Sequence, residues 1–407
     1  MKGETFRHLL TIVVTLLLSA GVLLLPEPER AVKGGAGRVA RARVLAVDNS
    51  DVALYGLLKC GSQHLKTQIL SGPLKGKVFR ANNEIRAQME LDKEFREGDI
   101  ITVNMPEGPV PEDFVLTARD YSRSGWFWVL SALFCLFLIL FGSWVGVKSI
   151  VSFIFSFLVI WKAVIPAALA GWAPEAVIAG AAALLTFAII FLVAGFTRKG
   201  LAAFCGAMAG VLTGLILSAL FTRLMKINGA VMPYSQPLFY AGYDFLDLQR
   251  LFAGALILGA SGAVMDLAMD IASGIEEVAR HNPQLSRREL IRSGMRMGRS
   301  VVGTMTTTLL LAYSGGFLTL LMMFRVEGHS PLTLLDNPLV ASEAVKTLIG
   351  SFALVLTAPL TALIAGSIFA PRGPVTSCCS SSTGNSSCES SSRERPSSPE
   401  SPSAEEP

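Results

Sequence analysis

Asp266 and Asp270 stand four residues apart in the run Gly-Ala-Val-Met-Asp-Leu-Ala-Met-Asp-Ile-Ala-Ser-Gly (262–274), whose other members are apolar or small. That spacing puts Gly262, Asp266, Asp270 and Gly274 on one helix face. A carboxylate at membrane depth is costly, so it is expected to face a bundle interior or a water-filled cavity and to handle a proton or cation there. Counting from Leu251 at ~1.5 Å per residue places Asp266 roughly 22 Å along, inside the hydrocarbon, with Asp270 near the cytoplasmic surface. The competing reading is structural: each aspartate pairs with an arginine of the following loop, Arg296 or Arg299, and pins two helices together.

Other residues could serve the same chemistry. Lys162, four residues before Pro166, is a second intramembrane charge. It lies on the order of 10 Å from Asp266 along the membrane normal, so it either acts on the path or snorkels outward. Thr304, Thr307, Thr308, Tyr313 and Ser314 bring hydroxyls into one apolar run. They either bridge helices or, with Gly315-Gly316, mark a broken helix whose freed backbone groups coordinate an ion. An ion or proton pathway is thus assigned to Asp266, Asp270, Thr304, Thr308 and Lys162.

Ser286 and Glu289 form a capping box after Asn282-Pro283. In the helix they open, Arg288, Arg292, Arg296 and Arg299 line the face opposite Leu290, Ile291, Gly294, Met295 and Gly298. Such a helix can lie at the interface with its arginines on anionic lipid. Gly206, Gly210 and Gly214 repeat at the spacing of close helix packing.

These residues need a membrane scaffold, and the composition supplies one. The 407 residues are 51% hydrophobic and only 16% charged, too apolar for an ordinary soluble protein of this size. Apolar runs of crossing length occur at 126–147, 149–169, 176–196, 201–225, 251–272, 301–324 and 345–369. Lys2 and Arg7 precede another at 9–25, read as an uncleaved signal anchor. The sum is a polytopic α-helical membrane protein of about eight transmembrane helices.

Residues 30–123 differ, being charged, turn-rich and patterned in short alternating pieces at 41–47, 52–58, 65–70, 77–80 and 99–103. They read as a small extracytoplasmic β-barrel-like domain, OB-like by first choice. Domains follow as an anchor at 1–29, the β domain at 30–123, a seven-helix bundle at 124–373, and a Ser-rich disordered cytoplasmic tail at 374–407. With the N-terminus inside, the cytoplasmic connections collect Lys148, Arg198, Lys199, the arginines from Arg280 to Arg299, and Arg372. Arg223, Lys226, Arg250 and Arg325 fall outside, so the bias is clear without being perfect. Both termini are then cytoplasmic.

The blocks at 262–274, Ser293-Gly294-Met295-Arg296-Met297-Gly298-Arg299, and Gly303-Thr304-Met305 onward to Gly316 resemble the YibE/F family of bacterial multi-pass membrane proteins. The resemblance spans roughly residues 5 to 370. It implies a cell-membrane location and this architecture, and it assigns no biochemical role. One departure is visible in the threonine stretch, where the family commonly has asparagine and this chain has Thr306-Thr307.

The function expected is a secondary transporter or export-related permease coupled to protons or cations. The alternative is a non-transporting scaffold or sensor presenting the β domain. No nucleophile elbow, P-loop or dinucleotide fingerprint occurs, so no enzyme is expected. The six cysteines form no C-x-x-C pair and have no histidine at ligand spacing, so neither metal nor cofactor is expected. Expected partners are the lipid bilayer, an unknown small solute or ion, and a second membrane subunit or a second copy. A net charge of +4 implies no nucleic acid.

Overall fold

The computed structural model describes residues 2–24, 38–89, 92–106, 111, 113–328 and 330–371. The tail read as disordered, 374–407, lies outside the described residues, as does the connection 25–37. Side chains of 2–11, 16, 331 and 332 are also outside them.

After α1 (Lys2–Leu23) the chain forms five strands, β1 (Arg38–Tyr55), β2 (Leu58–Ile69), β3 (Val78–Arg86), β4 (Ile100–Met105) and β5 (Leu116–Tyr121). They close into a barrel of order β1-β2-β3-β5-β4, antiparallel except where β3 meets β5. This agrees with the expected β-barrel-like domain. Alternate residues point inward, so Ala40, Ala42, Val44, Leu65, Ile69, Phe79, Ala81, Ile101, Val103 and Leu116 fill the core.

Three details differ from the expected strands. The pieces 41–47 and 52–58 are one strand, β1, whose alternation is broken by register shifts at Val44/Ala46 and Asp48/Asp51. Gly61, with φ +128°, sits against the second irregularity, where a Cβ would strike the Asp51 carbonyl. The expected 52–58 strand ends instead at Tyr55, because Gly56 (φ +64°) turns the chain back. β5 was not anticipated; its parallel contact with β3 is confined to Ala81↔Leu116 and Asn82↔Thr117, a pairing no local pattern encodes.

A buried polar network ties the β3–β4 connection to the barrel. Gln63, fully buried, donates to the Phe95 carbonyl at 3.0 Å and accepts from the Phe95 N–H at 3.0 Å. Asn83 donates to Gln63 at 3.1 Å and to the Lys93 carbonyl at 2.6 Å. Phe95 is thereby held as the barrel's plug, edge-on to Tyr121 with ring centroids 4.9 Å apart. Asp120 closes the same end, 3.3 Å from Lys93 and 2.7 Å from Arg123.

The helical part begins with α2 (Ser124–Val159), which runs through a π turn (Ile160–Val164) into α3 (Ile165–Leu169). Together these 46 residues would extend about 69 Å as a straight rod, twice the hydrocarbon thickness. They do not form one: Ser143 has φ 48° and ψ −125°, outside helical space. Beyond it the chain passes so close to itself that a Cβ on Gly146 would lie 3.3 Å from the Ile139 Cα.

Then come α4 (Pro174–Ala194), α5 (Arg198–Leu224), a 3₁₀ turn (Gly229–Val231), α6 (Ser235–Tyr240), α7 (Leu248–His281), α8 (Arg287–Gly316), α9 (Leu318–Val326), α10 (Pro331–Leu334) and α11 (Pro338–Phe369). By length and composition, five helices among the described residues can cross a membrane, or six if α8 and α9, bent 65° apart, count as one span. The bend falls at Phe317, directly after Gly315-Gly316. α8 differs from the separate interfacial helix and span expected for this region. No proline stands between Arg299 and Thr304, and the single Gly303 is tolerated within the helix, so the capping box at Ser286 starts one continuous helix of 30 residues.

Helix α7 is the hub, packed by α4, α5 and α11. Small residues permit it. A Cβ on Gly206 would lie 2.8 Å from the Thr361 Cβ, one on Gly210 3.0 Å from a Val264 methyl, and one on Gly214 2.9 Å from the Ala353 Cβ. Helices in lipid gain little from hydrophobicity between themselves, so such close backbone approach supplies much of the packing.

Two tests follow from this packing and charge. Gly210→Val should lower the thermal midpoint of the detergent-solubilised chain, with an overpacking cost of about 1–3 kcal/mol; an unchanged midpoint would refute the tight crossing. Burial opposes ionisation of Asp120, but the Tyr121 N–H, Lys93 and Arg123 outweigh it and hold its carboxyl below the usual range. A lowered folded value gives stability that is present at neutral pH and lost as pH falls through that value. Asp120→Asn should therefore quicken amide exchange in the barrel at pH 7, and the difference from wild type should shrink below about pH 4.

Candidate functional site

Helix α7 starts where Asp247 caps it, accepting from the Gln249 and Arg250 N–H groups at 3.1 Å. Its Val264, Leu267, Ala268, Ile271 and Ala272 are buried in the main core, and Ala255, Gly259, Gly262, Asp266 and Asp270 form an exposed face. Of the two settings expected for Asp266, a bundle interior or a water-filled cavity, its exposure excludes the packed interior. The apolar side of α7 is wide enough to satisfy α4, α5 and α11 at once, and the small-and-acidic stripe is the side left over. Among the described residues neither aspartate forms an ion pair with Arg296 or Arg299.

Composition sets this face apart from other exposed faces. α2 presents Trp126, Phe127, Leu130, Phe134, Phe137 and Phe141 outward, as a lipid-facing helix does. The α7 face presents no side chain larger than aspartate between Ala255 and Asp270.

Helix α8 runs antiparallel beside it. Met297 lies against Gly274, Gly298 against Ile271, and the Tyr313 hydroxyl 3.3 Å from where a Gly259 Cβ would be. This register sets Thr304 level with Asp266 and Thr308 level with Gly262. Both threonines are exposed, and each donates to its own helix, Thr304 to the Val301 carbonyl at 2.9 Å and Thr308 to the Thr304 carbonyl at 2.9 Å. The interhelical bonds expected of them are replaced by these intrahelical ones, which bend or loosen a helix slightly and leave the oxygen lone pairs free to accept.

Farther along the same side, α11 contributes Glu343 and Lys346, paired at 2.6 Å and both part-buried. Lys346 also lies 5.4 Å from the Phe252 ring centroid on α7. The Gly350 position nearby is within 3.9 Å of the Tyr313 ring. The sequence reading missed this pair, although opposite charges three residues apart at the start of an apolar run signal it. Polar groups therefore occur at successive levels, Glu343–Lys346, Tyr313, Thr308, Asp266 with Thr304, and Asp270.

The remaining assigned residues stand apart. Lys162 is on the π turn, which packs against α1 and α4. Lys148, expected in a cytoplasmic connection, is instead 3% exposed within the second run of α2. Arg288, Arg292, Arg296 and Arg299 are exposed along α8, and the opposite face, Leu290, Gly294 and Gly298, is buried against Ile275, Ala362 and Ala358. That apolar face is thus covered by protein and not by lipid. At the mouth of α7, Lys199 reaches Glu276 at 3.4 Å, and Glu277 takes both Arg280 and His281.

No curated protein and no solved structure matches this chain. The profile of the family described as YibE/F-like protein matches residues 130–371, which hold α3 to α11, most of α2 and every residue of the polar face. With more than half its length covered, this chain belongs to the YibE/F-like family.

Proposed function

We propose that this chain is a multi-pass cell-membrane protein acting as a secondary transporter or export-related permease, with Asp266 and Asp270 binding the coupling proton or cation. The reading is carried by one observation: an exposed α7 face of glycine, alanine and two carboxylates, beside the hydroxyls of α8, within a helix otherwise buried. Carboxylates on such a span are costly against hydrocarbon and useful against water or an ion. Side chains this small leave room for either.

In this reading the chain crosses the membrane eight times. The break at Ser143 divides Ser124–Leu169 into two crossings, α8 with α9 makes one, and α1 is the first. Both termini are then cytoplasmic and the barrel is outside. Lys162 and the exposed arginines of α8 act on headgroups, a second copy or another subunit completes the open α7 face, and no covalent chemistry is performed.

A specific feature favours the scaffold reading as the second choice. The outer face of β1, β2 and β3 carries a groove of about 1100 Å³, with Lys66, Arg80, His64, Asn82, Asp48 and Asp113 among its lining. A barrel that docks an envelope component there needs the helices only as an anchor.

Proteoliposome flux measured over a panel of ions and small solutes, with an imposed pH gradient, separates the two. For a permease, Asp266→Asn should reduce the flux at least tenfold and abolish its dependence on the gradient. Flux indifferent to that change removes Asp266 from the mechanism, and no flux across the panel favours the scaffold. Topology is tested apart from transport. In a chain with its cysteines replaced by serine, Lys75→Cys should react with a membrane-impermeant maleimide from outside intact cells; labelling that requires lysis would invert the orientation.

A further inference from the structure

A cavity of about 310 Å³ opens where α4 and α7 begin and α5 ends, lined by Glu175, Thr222, Arg223, Asp247, Gln249 and Arg250, with Ala219 and Ala253 behind them. Its volume suits a small organic molecule and far exceeds an inorganic ion. The carboxylates and guanidiniums of the lining are equal in number, so their formal charges cancel. They are not fully used on one another. Arg250 is 3.0 Å from Asp247, whose carboxylate also caps α7, and only 4.0 Å from Glu175. Arg223 forms no ion pair among the described residues.

The second observation is Thr222, 1% exposed, whose hydroxyl oxygen has no hydrogen-bond partner among the described residues. Thr186 and Thr361 likewise lack a hydroxyl partner among the described residues but do not line this cavity, whereas Thr213, Thr304, Thr308 and Thr357 bond back to their own helix. Thr222 does not, and its backbone carbonyl is already taken by the Gln249 side chain at 3.1 Å. An orphaned buried hydroxyl is costly unless something supplies its bond.

We infer that this cavity binds a small zwitterion of the amino-acid class, its carboxylate held by Arg223 and the Thr222 hydroxyl and its ammonium by Glu175. A lone anion would be repelled by Glu175 and Asp247, and a lone cation by the two arginines. A molecule carrying both charges leaves the site neutral and answers each unused group. A second cavity, of about 400 Å³, shares Arg223 and Gln249 and gives room for the rest of the solute. The inference rests on this cavity and goes beyond the coupling role of the α7 carboxylates.

The test is calorimetric titration of the full chain in lipid nanodiscs with each common L-amino acid, glycine betaine, succinate and ethanolamine. At least one zwitterion should bind saturably, with succinate and ethanolamine silent at the same concentrations. Arg223→Gln should weaken that binding tenfold or more and Thr222→Val threefold or more, with Thr222→Ser retaining it. Helical circular dichroism and size exclusion verify each variant's fold; if Arg223→Gln fails them, Thr222→Val and Glu175→Gln decide. Silence of every zwitterion, a response only to succinate or ethanolamine, or affinity unmoved by the folded variants overturns the inference. Saturable zwitterion binding with no flux of that solute would sink the permease reading and support this one.

Discussion

The bundle depends on how closely α5, α7 and α11 can approach, and that is set by the absence of side chains at Gly206, Gly210 and Gly214 and by the small groups they meet at Ala353, Thr357 and Thr361. In hydrocarbon the backbone must bond within each helix, so helices are the spanning unit. What joins them is van der Waals contact over surfaces that must fit to within a methyl group. Because α7 meets partners on three sides through such contacts, its rotation about its own axis is fixed. The placement of Asp266 and Asp270 follows from that rotation: with the apolar arc of α7 spent on its neighbours, the carboxylates have one direction left.

Local breaks do as much as the close crossings. Ser143 in left-handed space turns an apolar stretch too long for one crossing back on itself. Gly315-Gly316 and Phe317 redirect α8 by 65°. The polar face of α7 and the cavity beside Thr222 lie toward different ends of that helix, Asp270 near its C-terminal third and Asp247 at its N-cap. One rigid element thereby links an acidic stripe to a charged pocket.

The barrel is a different kind of structure, closed by strand pairing and held at one end by buried amides. Gln63 and Asn83 satisfy the backbone around Phe95, which lets an irregular connection stay inside a small core without orphaned groups. Its outer groove sets Lys66 directly across from Arg80 on paired strands, with Asp48 and Asp113 in the same lining to offset that like-charge contact.

Much of this was legible from the residues alone. Run lengths determined that helices of membrane-crossing size occur, composition separated the barrel region from the bundle, Ser286 and Glu289 announced the start of α8, and Gly315-Gly316 announced its end. These are local effects, in which the residues that cause a feature are neighbours of the feature. Four-residue spacing likewise determined that Gly262, Asp266 and Asp270 share a face. Which way that face turns was decided only in the tertiary structure, because it depends on the summed burial of the opposite side of α7 against three other helices. The same holds for β5, whose parallel partner is some 35 residues away, for the pairing of Glu343 and Lys346 beside Phe252, and for a cavity assembled from the ends of α4, α5 and α7. Contacts between distant segments carry no periodic signature, so only the folded chain brings those charges together.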